Sequence, residues 1–269
     1  MAYGPGGCPA VSNAPIGVFD SGVGGISVLN ELRRTLPHED FIYYADSGYC
    51  PYGGRPQSEI LARASTITEF LLAQHAKLIV VACNTATIAA VEYLRATYPT
   101  PFIGMEPAIK PAIAQTRSGV IGVLATGAAL AGERFHRLLA QHSAGHVRII
   151  TQPCPGLVEQ VEAGDLDGPA TSALVEHYTR PVVAAGADTL VLGCTHYPFL
   201  RPVIGAVVGP EIHLLDTGAA VARQTRRVLE REGLLTSAKT AGSVAWHTSG
   251  DPAQLTMIVE LLAHDQRDG

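Results

Sequence analysis

The chain has 269 residues, 47% of them hydrophobic and 16% charged, with a formal net charge of −5. This composition excludes a disordered chain, and without a Lys/Arg run there is no electrostatic footprint for nucleic acid. No stretch reaches the ~18 consecutive apolar residues of a membrane helix, so the expected partner is a small molecule rather than nucleic acid or membrane.

Residues 1–14 are rich in Gly, Pro and Ala and lack the apolar segment of a secretory signal. They read as a flexible lead-in to a cytoplasmic protein. The five cysteines, Cys8, Cys50, Cys83, Cys154 and Cys194, are odd in number and widely scattered, with no C-x-x-C pair. That argues against a disulfide framework.

Apolar, β-branched runs predict strands at 16–19, 41–45, 78–82, 102–105, 120–124, 147–150, 189–193, 212–215 and 244–247. Amphipathic stretches lie between them. Leu29, Leu32 and Leu36 share one helix face, as do Ile60, Leu61, Ala64, Ile67, Phe70 and Leu71. Further helices are expected at 87–95 and 220–232. This alternation signals βαβ units, and the continuous apolar runs suit parallel strands covered on both faces.

The polar motifs follow the strands. The first strand runs into Asp20-Ser21-Gly22-Val23-Gly24-Gly25, which lacks both G-x-G-x-x-G and a P-loop lysine and so does not read as a nucleotide site. The second leads to Cys50-Pro51-Tyr52-Gly53-Gly54 and the third to Cys83-Asn84-Thr85. Later come Ala125-Thr126-Gly127, then Cys154-Pro155 with Glu159 and Glu162 on the next helix, then Cys194-Thr195-His196. Bland readings stand beside these: Asp20 as a helix cap, the Pro51 loop as a surface turn, Glu159 and Glu162 as a solvated helix face.

Two landmarks recur in order. Ile16-Gly17-Val18-Phe19-Asp20-Ser21-Gly22 resembles Ile121-Gly122-Val123-Leu124-Ala125-Thr126-Gly127, 105 residues on. The strand ending in Cys83 resembles the one ending in Cys194, 111 residues on. Two related α/β halves are therefore expected, each with a strand running into a cysteine.

Ligands of open parallel sheets bind outside the carboxyl ends of the strands. If the halves face each other, Cys83 and Cys194 oppose across a cleft. Helix N-termini there suit an anion and favour thiolate over thiol. Two opposed thiols fit inversion of a carbon centre, with one as base and the other as acid. A zinc site built from Cys83, Cys194 and His196 is a weaker reading, because Cys-x-His is not an ordinary ligand spacing. Lysine is scarce, namely Lys77, Lys110 and Lys239. None sits in an evident strand-end pocket, which weakens a pyridoxal phosphate route.

Taken together, Asp20-Ser21-Gly22-x-Gly24-Gly25, Pro51-Tyr52-Gly53, Ala82-Cys83-Asn84-Thr85-Ala86, Gly193-Cys194-Thr195-His196-Tyr197-Pro198 and Thr248-Ser249-Gly250-Asp251-Pro252 resemble the glutamate racemases of the aspartate/glutamate racemase superfamily. The resemblance spans about Pro15 to Leu262. It implies an α/β fold of two pseudo-symmetric parallel-sheet domains with the active site in the cleft between them. The first would comprise 15–107 plus 218–269, the second 108–217. It implies racemisation without cofactor or metal, with Cys83 taking the α-proton of D-glutamate and Cys194 that of L-glutamate. Asp20 would assist Cys83; His196 and, on a looser match, Glu162 would assist Cys194. Ser21, Pro51, Tyr52, Gly53, Asn84, Thr85 and Thr195 would hold the substrate. D-glutamate for peptidoglycan and a homodimer are further implications.

Ser47-Gly48-Tyr49-Cys50 and the segment around Thr126 depart from the family wording. Racemisation of aspartate or another acidic amino acid, and non-catalytic binding of such a ligand, are the alternative functions.

Overall fold

The computed structural model describes residues 13–142 and 147–264. Nearly all of the 1–14 segment, with Cys8, lies outside the described residues.

The first half of the chain gives β1 (Ile16–Asp20), α1 (Ile26–Thr35), β2 (Phe41–Ala45), α2 (Gln57–Ala73), β3 (Leu78–Val81), α3 (Asn84–Thr97) and β4 (Phe102–Ile103). Next come α4 (Ile109–Gln115), β5 (Val120–Ala125), α5 (Gly127–Ala131), α6 (Glu133–His142), β6 (Arg148–Pro153), α7 (Leu157–Glu162) and α8 (Pro169–Ala184). They are followed by β7 (Thr189–Leu192), α9 (Arg201–Val208), β8 (His213–Leu215), α10 (Gly218–Arg231), β9 (Val244–Thr248) and α11 (Pro252–His264).

The strands form two parallel sheets, ordered β4-β3-β1-β2-β9 and β6-β5-β7-β8. Reversing the second list gives β8-β7-β5-β6, so each half repeats one order and β9 is the addition. Register repeats as well. Ile16 pairs with Leu78, and Ile121 pairs with Thr189. The internal likeness in the sequence is thus a likeness of whole sheets.

Alternation of side chains across a strand divides the core of the first sheet. Ile16 and Val18 pack with Leu29 and Leu32 of α1 and Val228 of α10. Phe19 packs on the other face with Ile67 and Leu71 of α2 and Ala90 of α3. In the second sheet Ile121 and Val123 meet Ile109 and Phe135, while Leu124 and Leu190 face Val175 and Val182 of α8. Leu29, Leu32 and Leu71 are wholly buried; cutting any of them to Ala costs about 2–5 kcal/mol.

β9 lies parallel to β2, with Phe41 opposite Val244. The late segment therefore completes the first sheet, a point the residues alone left undecided. Lys77 lies far from the strand ends. It is buried and ion-paired with Glu39 at 2.5 Å.

Two local expectations change. The helix after the third strand starts at Asn84, not at 87, because Cys83 itself caps it. The second cysteine is followed by a 3-10 turn, Tyr197–Leu200, and α9 begins only at Arg201. Pro198 and Pro202, each lacking an N–H, sit at the starts of those two segments.

Candidate active site

The carboxyl ends of β1, β3, β5 and β7 converge on one small cavity. Cys83 and Cys194 both line it, together with Ser21, Asn84, Thr85, Thr195 and His196, and with Pro51, Tyr52 and Gly53 from the loop after β2. Thr126 and Val158 complete the lining. The enclosed space is about 10 Å³, room for roughly one water. Admission of a larger ligand therefore requires the walls to part.

Cys83 is the N-cap of α3, and its sulfur accepts from the Ala86 N–H at 3.4 Å. It also lies 3.8 Å from Ser21 Oγ. A helix N-terminus by itself favours thiolate. Here burial, reinforced by the Asp20 carboxylate, outweighs it and pushes the Cys83 thiol well above its ordinary value. The helix N-terminus and the buried, acidic surroundings thus pull this thiol in opposite directions.

Asp20, at the end of β1, is wholly buried beneath the cavity. Its carboxylate accepts from the backbone N–H groups of Ser21 at 2.7 Å and Gly25 at 2.6 Å, and from Thr195 Oγ1 at 3.2 Å. Burial raises its pKa, with His196 and Cys83 opposing.

Around Cys194 the partners are side chains. Its sulfur is 3.6 Å from His196 Nδ1, and His196 Nε2 is 2.6 Å from Glu162 Oε1. Burial alone would depress His196, but contacts with Cys194, Cys50 and Glu162 carry it well above the usual histidine value. Burial would likewise raise Glu162, yet His196 and the Val23 N–H hold it down. Both shifts favour an imidazolium–carboxylate pair.

The glycines after β1 have a steric origin. A Cβ on Gly22 would fall on the Glu162 carboxylate, and one on Gly24 would fall on the imidazole of His196. The backbone of this turn lies flat against the pair, and the Val23 N–H donates to Glu162 Oε1 at 2.7 Å. Glu162 is accordingly no solvated helix face, whereas Glu159 is exposed.

Substrate-type donors and acceptors remain. Asn84 Oδ1 is buried without a hydrogen-bond partner, an acceptor free for a ligand N–H. The Tyr52 hydroxyl, by contrast, is committed to Asp46 Oδ2 at 2.5 Å. Arg63 grips the same carboxylate through Nε and Nη2 at 2.9 and 2.7 Å. Tyr52 therefore shapes the cavity with its ring. Thr126, not singled out as a ligand-holding residue, meets Thr85 Oγ1 at 2.9 Å and caps α5. The sequence held a pointer to it, since the repeat aligns Thr126 with Ser21. Cys50, on the loop that departs from the family wording, lies beside His196 and Glu162, and burial pushes its thiol up to about 11.

The Asp/Glu/Hydantoin racemase family model matches residues 16–225. The glutamate racemase of Herpetosiphon aurantiacus is 58% identical over 94% of this chain and 99% of its own. The chain belongs to the glutamate racemases of this family. Among solved structures, a glutamate racemase isoform of Bacillus anthracis aligns with a TM-score of 0.85 at 30% identity, covering 94% of this chain and 95% of that one. The Escherichia coli glutamate racemase, solved with L-glutamate and the activator UDP-MurNAc-ala, aligns with a TM-score of 0.82 at 34% identity over 92% and 95% of the two chains. Among the described residues no helix is long and apolar enough to cross a membrane.

Proposed function

We propose that this protein interconverts L- and D-glutamate by proton transfer between Cys83 and Cys194 on opposite faces of the α-carbon, without a cofactor. The observation that carries the reading is that both sulfurs line one cavity, each with its own proton-handling partner. Asp20 lies by Cys83 and the His196–Glu162 pair by Cys194.

In the L-to-D direction Cys194 as thiolate takes the α-proton, and Cys83, held as thiol by burial and Asp20, returns one to the other face. In the reverse direction Asp20, its own pKa raised by burial, is the group placed to take the Cys83 proton, and His196 resupplies Cys194. The weak acidity of an amino-acid α-carbon is met by placement and by exclusion of water from so small a cavity. The N-terminus of α3, with Asn84 and Thr85, suits a substrate carboxylate. The free Asn84 Oδ1 suits the ammonium, with Ser21, Gly53 and Thr195 around them.

We further propose that the chain divides into domains 15–107 plus 218–269 and 108–217, which the pairing of β9 with β2 supports. A homodimer in the cytoplasm, supplying D-glutamate to peptidoglycan, follows from the family resemblance.

The test is L-glutamate in D₂O without pyridoxal phosphate, followed by circular dichroism and mass spectrometry, with aspartate as the competing substrate. Racemisation with deuterium at the α-carbon of the new enantiomer is expected, lost on Cys83→Ala or Cys194→Ala. Full activity in either variant refutes that cysteine's role, and faster inversion of aspartate refutes the substrate.

A further inference from the structure

Beside the cavity lies a constellation that adds Cys50, which proton transfer does not use, to the His196–Glu162 pair, which it does. A sulfur of Cys50, a carboxylate oxygen of Glu162 and a ring nitrogen of His196 all lie within 4.8 Å of one another. They come from three separate places in the fold: the loop after β2, the end of α7 and the turn after β7. Packing of the two halves, rather than chance along one helix, brings them together.

We propose that Cys50, Glu162 and His196 form a site for zinc or a similarly soft divalent cation, and that its occupation reversibly switches the racemase off. The inhibition rests on the racemase reading above; the binding of metal does not.

The donor set decides the ion. One thiolate, one imidazole and one carboxylate match the ligands zinc takes, with a fourth position left for water. Calcium and magnesium call for oxygen alone. In a tetrahedral zinc site, ligand atoms lie about 3.3–3.8 Å apart, so the present spacing needs only small side-chain movements. His196 Nε2 and Glu162 Oε1 are 2.6 Å apart across a proton, and the metal would take that proton's place. Binding releases this proton and the Cys50 thiol proton to solvent, with no change in oxidation state.

Access exists from outside. Cys50 and Glu162 line a surface pocket of about 280 Å³ that also carries Glu159, a second carboxylate to attract a cation. Once ligated, His196 and Glu162 no longer exchange a proton with Cys194, which is the source of the inhibition.

The test uses the purified full chain freed of metal by a chelator, titrated separately with Co²⁺ and Zn²⁺. One equivalent of Co²⁺ is expected to give a thiolate-to-cobalt charge-transfer band. The band should vanish in Cys50→Ala and persist in Cys83→Ala. Zn²⁺ should abolish racemisation, with recovery on adding chelator. Losing even a supporting partner of a metal ligand costs about 10–100-fold in affinity, so Cys50→Ala should resist zinc by at least that factor, read against the variant's own metal-free activity. No cobalt band in the parent, or equal zinc sensitivity in Cys50→Ala, overturns the proposal. A Cys50-dependent band in a protein that does not racemise would instead sink the catalytic reading and leave the metal site standing.

Discussion

Thr195 Oγ1 donates to Asp20 Oδ2 at 3.2 Å, so the residue next to one cysteine steadies the carboxylate beside the other. This hydroxyl links the surroundings of Cys194 to those of Cys83. A hydrogen bond to a charged acceptor contributes about 1.5–3 kcal/mol. Thr195→Val is expected to lower kcat by about 10–100-fold, with Thr195→Ser restoring most of it. A change in KM alone would show that the hydroxyl serves substrate binding and not Asp20.

Gly24→Ala places a methyl group on the imidazole of His196. Overpacking of this kind costs about 1–3 kcal/mol, and the cheapest relief is rotation of His196 away from Cys194 and Glu162. We expect kcat to fall by at least ~100-fold, the scale of a lost acid–base group, while urea unfolding shows only the modest loss. Retained activity would mean that His196 acts from a different position.

Arg63→Met leaves Asp46, wholly buried, without its cation. Breaking a buried pair in this way costs about 3–5 kcal/mol, read as a lower urea midpoint. Tyr52 shares the same carboxylate, so its ring loosens against the cavity. KM for glutamate should rise more than kcat falls.

Asp188 contributes to the response to acid. Burial would raise its pKa, but Thr116, the N–H groups of Ser118 and Arg117, and Thr189 hold it well below the usual carboxylate range. A carboxylate depressed in the folded state adds stability above its unfolded pKa of about 3.9 and loses it as pH falls through the lower, folded value. Asp188→Asn should be less stable than the parent at pH ~7, and the gap should close as pH drops below ~4. Thermal unfolding across that range measures it; a constant gap would show that Asp188 acts by shape and not by charge.

Much of this was legible in the sequence because it depends on periodicity. The nine strands among the described residues fall on the apolar, β-branched runs, and the repeat of Ile16 to Gly22 at Ile121 to Gly127 already points to two related halves. What stayed hidden depends on contacts between distant segments. The glycines of the first turn look like generic flexibility until Glu162 and His196 are seen lying on them. Glu162 and Glu159 are indistinguishable on a helix pattern, since only packing decides which one is covered. The balance at Cys83 is hidden for the same reason: a helix N-terminus shows in sequence, while burial and the neighbouring Asp20 require coordinates.

The placement of β9 sets the order in which the molecule can be completed. Ser243, just before β9, and Asp40, just before β2, are 203 residues apart yet joined through the Asp40 carboxylate at 2.7 Å. On the ribosome, β2 is synthesised early and waits as an open sheet edge while the whole second sheet is made. Such edges invite pairing with other chains. Stalled or truncated products lacking residues past 243 would therefore be the species prone to aggregate, with the defect arising in a sheet whose other strands had long been translated.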